Sequence, residues 1–253
     1  MFNPLDYPFL VLGVSLTVLW GSASIGGGIH KRRLTESKER HEDFEFILGA
    51  TLTLLGLIVG FTFSMAVSRY DQRKNYEEQE ANAIGTEYVR ADLLPAGDAA
   101  KVRGLLKNYL DLRIISYRLR DTRRRRQTDA AIARLQSEMW NAVVPPAIAQ
   151  PNQVQALVVA GMNDVLNSQG YTQAAWWNRI PTAAWSLLLL ISIFCNILIG
   201  YGAHGRSAFV YLILPVALSI SLFLIADIDS PRGGIIRVRP QNLESLAASL
   251  NSQ

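Results

Sequence analysis

The sequence predicts an all-α integral membrane protein, with four transmembrane helices in two hairpins and a helical extramembrane segment between helices 2 and 3. Three observations predict it. Four apolar runs, at 8–28, 47–67, 183–201 and 209–226, each approach the roughly 20 residues that a helix needs to cross the hydrocarbon core. None of the four contains Asp, Glu, Lys or Arg, which are costly at a bilayer centre. Between the second and third runs lies a charged stretch, 68–179, with helical rather than alternating periodicity. The 253 residues therefore divide into a first hairpin (1–67), a middle segment (68–179), a second hairpin (180–226) and a tail (227–253).

The first run follows an N-terminus with Asp6 and no Lys or Arg, and Lys31-Arg32-Arg33 comes after it. That order suits a retained span rather than a cleaved signal. A charged loop, 29–46, leads to the second run, which continues without Pro through Leu94, so the membrane helix is expected to extend into water. Pro95 breaks it, and Asp98 can cap a helix carrying Val102, Leu105, Leu106, Tyr109, Leu110 and Ile114. A polar connector is expected at 121–126, then a helix through about Val143, a break at Pro145-Pro146 and Pro151, and a further helix at 153–167. Trp176 and Trp177 suit an interfacial belt, and Pro181 suits the first turn of the third span. The short 202–208 loop makes the last two spans antiparallel neighbours, and Pro215 is expected to kink the fourth. Alternation at Ile236-Arg237-Val238-Arg239 is too short for a sheet. Leu243, Leu246, Ala247 and Leu250 form one face of a short amphipathic helix.

The net charge of +4 would invite a nucleic-acid reading in a soluble chain. Basic residues beside spans account for it, and no aromatic-basic RNA motif or finger spacing is present. The expected partners are the lipid bilayer and inorganic ions, with no nucleic acid. The single cysteine, Cys195, lies inside the third run and has no intrachain disulfide partner. His30, His41 and His204 stand singly. With no phosphate loop, nucleophile elbow or zinc pair, neither catalysis nor a cofactor is expected.

The second span carries the patterns of interest. Gly56, Gly60, Ser64 and Ser68 recur every four residues, a small-residue stripe suited to packing within a subunit or between subunits. Thr53, Leu57, Phe61 and Met65 form a second column, either plain lipid-facing or core surface, or apolar rings around an oligomer axis. Arg69, Asp71 and Arg73 follow, with Glu77, Glu78 and Glu80 beyond, as expected of a solvated, salt-bridged helix or of a charged vestibule. Asp227 and Asp229 could hold a hard cation or pair with Arg232 or another basic group. Arg123–Arg126 reads as a solvated connector or as a contact for anionic lipid. The balance of Lys and Arg about the spans leaves orientation open.

Gly60-Phe61, then Ala66-Val67-Ser68-Arg69, resembles the pore-lining second span of the bestrophins and of the bestrophin-like membrane proteins of bacteria. The segment 227–234, acidic and then Pro and Gly, resembles the stretch after their fourth span. The chain departs at Tyr70-Asp71, where two Trp are expected, at Arg232, where a Phe is usual, and at Thr53, an apolar position in the bestrophin neck. It is most similar to the divergent bestrophin-like branch. The resemblance implies a homopentamer in the bacterial inner membrane, with the middle segment and both termini cytoplasmic. It also implies a passive ion channel constricted at Leu57 and Phe61, flanked by Thr53 and Met65, with Arg69, Asp71 and Arg73 near the inner mouth. The alternatives are a non-conducting scaffold or sensor, and a stator-like proton-channel subunit that needs a partner.

Overall fold

A computed structural model describes residues 4–31, 38–202 and 210–252. Expectations about Arg32-Arg33, most of the 202–208 loop, and the side chains of His30, Lys31, His41 and His204 lie outside what is described. Among the described residues the regular structure is helical throughout. The helices are α1 (Pro8–Lys31), α2 (Lys38–Arg90), α3 (Ala96–Arg118), α4 (Thr122–Ala149), α5 (Gln153–Trp177), α6 (Thr182–Gly202), α7 (Val210–Asp229) and α8 (Gln241–Asn251). Four helical stretches are long and apolar enough to cross a membrane.

The chain forms two compact units, Met1–Tyr70 with Arg179–Arg237, and Asp71–Asn178 with Val238–Gln253. In the first, α1 packs along α6 and α7. A Cβ on Gly26 would collide with the Ile197 carbonyl of α6, and one on Gly200 would collide with the Ala23 carbonyl of α1. Close helix approach in a membrane depends on such small residues, because lipid tails are as apolar as the side chains they would replace. Leu19, Leu55, Ala66, Leu188, Cys195, Leu222 and Ile225 form the core of this unit.

The second unit is built by α3, α4, α5, α8 and the 71–90 part of α2. Its core contains Ile84, Val102, Leu106, Tyr109, Leu110, Met139, Met162, Val165 and Leu243. Several boundaries differ from the sequence expectations. Pro95 stands at the N-cap of α3, so Asp98 falls in the first turn instead of capping it. Asp121 caps α4 by accepting the Arg124 N–H at 2.7 Å, which places Arg123–Arg126 on helix rather than in a connector. Pro145 and Pro146 lie inside α4. They leave the Asn141 and Ala142 carbonyls without their usual N–H partners near the end of the helix, and Gln150 N–H closes that end on the Pro146 carbonyl at 3.1 Å. Asn152 caps α5, which runs through Gly170 to Trp177, ten residues past the expected end at Asn167. Its buried face, Val158, Met162, Val165, Thr172 and Ala175, keeps helical spacing across that glycine.

Candidate functional site: the second helix

The membrane part of α2 is the least covered of the four spans. Only 11% of its most apolar window is buried, against 44% for the last span. Leu55, Thr62 and Ala66 are buried on one side of the helix. Thr53, Leu57, Phe61 and Met65 lie on the exposed side, with Phe61 65% accessible. Gly56, Gly60, Ser64 and Ser68 are exposed as well, and a Cβ on Gly56 or Gly60 would meet nothing within 4 Å. The small-residue stripe therefore serves no close contact inside the protomer. The close contact that exists uses Gly26 and Gly200, and its sequence signal was the run Ser24-Ile25-Gly26-Gly27-Gly28 in α1.

Beyond the span, Asp71 is exposed and Arg69 half-buried, with its guanidinium 3.8 Å from Met65 Sδ. Arg73 departs from the expected mouth position, since it is only 1% exposed. Glu77, Glu80 and Glu87 are buried too, so the expectation of a solvated charged helix holds only for residues such as Glu78. The reason is periodic. Arg73, Glu77, Glu80, Ile84, Glu87 and Ala91 repeat at intervals of four and three, a core-facing stripe that happens to carry four charges.

Each buried carboxylate has its own environment. Glu80 forms a bidentate pair with Arg113 of α3, through Nε and through Nη2 at 3.1 Å. Tyr117 Oη and Thr172 Oγ1 also donate to Glu80 Oε2, at 3.3 and 3.2 Å. Burial alone would push the Arg113 guanidinium down, but Glu80 beside it raises it above its ordinary value. Burial raises the Tyr117 and Tyr109 phenols, and Glu80 pushes both further.

Glu77 accepts the backbone N–H groups of Asn242 and Leu243, both at 3.0 Å, and Asn242 Nδ2 at 2.6 Å. The two backbone groups are the second and third N–H groups of α8, whose own N-cap, Pro240, offers no side-chain acceptor. Burial still raises the Glu77 carboxyl, against the lowering effect of these bonds. Glu87 has no hydrogen bond to either carboxylate oxygen. It is pressed against Gly161 of α5, where a Cβ would collide with its carboxylate, and Arg90 Nη1 lies 2.5 Å from the same point. Burial pushes its carboxyl up to about 8, with Arg90 lowering it and Asp164 raising it.

Asp227 and Asp229, the candidate cation ligands, hold the chain. Asp227 accepts the Ile235 and Ile236 N–H groups at 2.7 and 2.8 Å, one on each oxygen. Asp229 accepts Ile180 N–H at 3.1 Å and lies 3.4 Å from Arg179 Nε, while Arg179 also pairs with Asp6. Asp229 thus pairs with a basic group, Arg179. Both Asp227 oxygens and one of Asp229 accept backbone N–H groups, and no group of three or more His, Cys, Asp or Glu converges among the described residues. Gly233 and Gly234 are required in the turn, since Cβ atoms there would collide with the Asp6 and Asp227 carbonyls.

The fold is shared with solved structures of a bacterial bestrophin homologue from Klebsiella pneumoniae. One superposes with a TM-score of 0.66 at 15% identity, covering 96% of this chain and 97% of that one. A point variant of the homologue superposes with a TM-score of 0.67 at 14% identity, covering 100% of both chains. No curated protein matches the sequence. The model of the bestrophin-like domain matches residues 16–243. A match over that length, on a chain whose four spans bracket a helical middle, makes this protein a member of the bestrophin-like family.

Proposed function

We propose that the protein is a homopentameric ion channel of the bacterial inner membrane, with its middle segment and both termini in the cytoplasm and α2 lining the pore. One observation carries this reading: α2 buries Leu55, Thr62 and Ala66 within the protomer and leaves Thr53, Leu57, Phe61 and Met65 open on another side. Copies set around an axis would turn that column into stacked rings. Leu57 and Phe61 form the constriction, where an apolar ring gates ions by dewetting. Thr53 and Met65 flank it, and Arg69 and Asp71 stand at the inner mouth. Arg73, being buried, is not part of that mouth. The Gly56–Gly60–Ser64–Ser68 stripe, unused inside the protomer, is the surface on which a neighbouring copy approaches.

The test is ion flux into liposomes containing the purified protein, with Phe61→Ala alongside and the particle mass measured in parallel. Five copies, flux from the native chain and faster flux from the variant are expected. Flux from neither protein overturns conduction. A monomer or dimer favours a scaffold or sensor, and co-purification of a second membrane protein favours a stator-like subunit.

A further inference from the structure

Helix α5 meets α2 at two levels, and only one of them is bonded. At the first, Thr172 Oγ1 donates to Glu80 Oε2 at 3.2 Å, and Tyr76 stacks on Tyr171 with ring centroids 6.0 Å apart. At the second, Glu87 lies against Gly161 with no hydrogen bond to either carboxylate oxygen. Pairing Glu80 with Thr172 and Glu87 with Gly161 sets the two helices antiparallel. Gly161 therefore belongs to the leading half of α5, the half that starts at the Asn152 cap.

The unbonded level suits a neutral acid and opposes an anion. Glu87 is fully buried, and a Cβ at position 161 would collide with its carboxyl group, so glycine is what leaves room for it there. A buried charge without donors is costly, whereas a protonated carboxyl loses far less on leaving water. Asp164, a turn further along α5, adds like charge. Arg90 Nη1 stands beside Gly161 and favours the anion, yet makes no hydrogen bond to it. The charges on the other elements of this unit are engaged or turned outward. On α3, Arg103 pairs with Asp92 and lies over the Tyr88 ring, and Lys107 donates to the Leu250 carbonyl. On α8, Glu244 is held by Arg118. On α4, Arg134 and Glu138 are exposed along a groove with Asp111 of α3. Burial thus dominates and holds the Glu87 carboxyl at about 8.

We propose that the Glu87–Gly161 contact is a pH-operated latch: while Glu87 keeps its proton the leading half of α5 lies closed on α2, and when the proton leaves, that half lifts away with the Glu80–Thr172 level still fastened. Opening returns the carboxylate to water and uncovers Val158 and Met162 on the inner face of α5. The latch lies wholly within residues 71–178 and does not depend on conduction. Because the closed form binds the proton more tightly, closure is fullest below about pH 4.5 and is lost as pH rises through about 8.

The test is amide hydrogen exchange of the full chain in detergent micelles from pH 5 to 9, with each rate divided by the intrinsic rate at that pH. Protection at 157–163 is expected to fall by up to about tenfold per pH unit as far as about pH 8 and then to level off. At pH 8 it should lie at least about tenfold below that at 171–175, the mark of a local opening. Glu87→Gln should abolish the fall at 157–163. Gly161→Ala, which wedges the seam, should lower protection there even at pH 5 while 171–175 keep theirs. Equal protection of the two segments at every pH would mean that the helix opens only with the whole unit, and overturns the latch. So does a fall at 157–163 that persists in Glu87→Gln. If Glu87→Gln does not fold, the comparison of the two segments in the native chain decides.

Discussion

The two halves of α2 invert the usual distribution of polarity. Its apolar half leaves Leu57, Phe61 and Phe63 open, at 53%, 65% and 41% exposure, while its charged half buries Arg73, Glu77, Glu80 and Glu87 to 1% or less. The contrast separates two kinds of stability. The charged half is the spine of a helical core, and it bonds Glu77 and Glu80 inside the protomer while Glu87 is buried without a hydrogen bond; an unmade bond to a buried charge costs several kcal/mol. The apolar half needs no partner within the protomer and is free to meet lipid, a neighbouring copy or a pore.

The sharpest way to break the charged half is to remove one member of its central pair. Arg113→Ala leaves Glu80 buried with only Tyr117 and Thr172 as donors, and should cost about 3–5 kcal/mol. Thermal or denaturant melting of the purified protein checks this. Adding Glu80→Gln should restore part of the loss, because the uncompensated charge is then gone. If the double variant is no better than Arg113→Ala, the cost lies in packing rather than in charge.

The glycines test the apolar half in the same way. Gly200→Val forces side-chain atoms onto the Ala23 carbonyl and should destabilise the protomer by about 1–3 kcal/mol or more. Gly60→Val faces open space in the protomer and should leave its folding intact while weakening the association of copies. Melting temperature and particle mass separate the two outcomes. A normal particle mass for Gly60→Val would remove the small-residue stripe from the subunit contact.

Sequence patterns made the bilayer assignment plain, because four uncharged runs of membrane length leave little else to infer. The tail helix was legible as well, with Leu243 and Leu250 buried in α8 as their spacing implied. The stripe Arg73-Glu77-Glu80-Glu87 escaped because hydrophobic periodicity looks for apolar residues, and here the core-facing positions are charged. Only their four-and-three spacing could have marked them. Pro145 and Pro146 misled as well: a proline pair ends most helices, yet α4 runs through both and on to Ala149. The α1–α6 approach lay hidden because glycine runs say that something comes close without saying what.

Glu87 gives the smallest and most diagnostic effect. Its carboxyl is raised to about 8 from an ordinary value of 4.5, so between those values the folded state holds a proton that the unfolded chain has released. Stability contributed by this group is therefore full below about pH 4.5 and is lost as pH rises through about 8, with a slope of at most about 1.4 kcal/mol per pH unit. Glu77, raised in the same direction, adds to the slope with the same sign. Glu87→Gln mimics the protonated acid and should match the native chain at acid pH, then surpass it as the pH approaches 8. Melting curves from pH 5 to 8 make the comparison. A parallel fall for both proteins would mean that Arg90 neutralises Glu87 inside the core. The one buried carboxylate without a hydrogen bond on α2 would then be an ion pair like that of Glu80, and the charged half would be fully paired along its length.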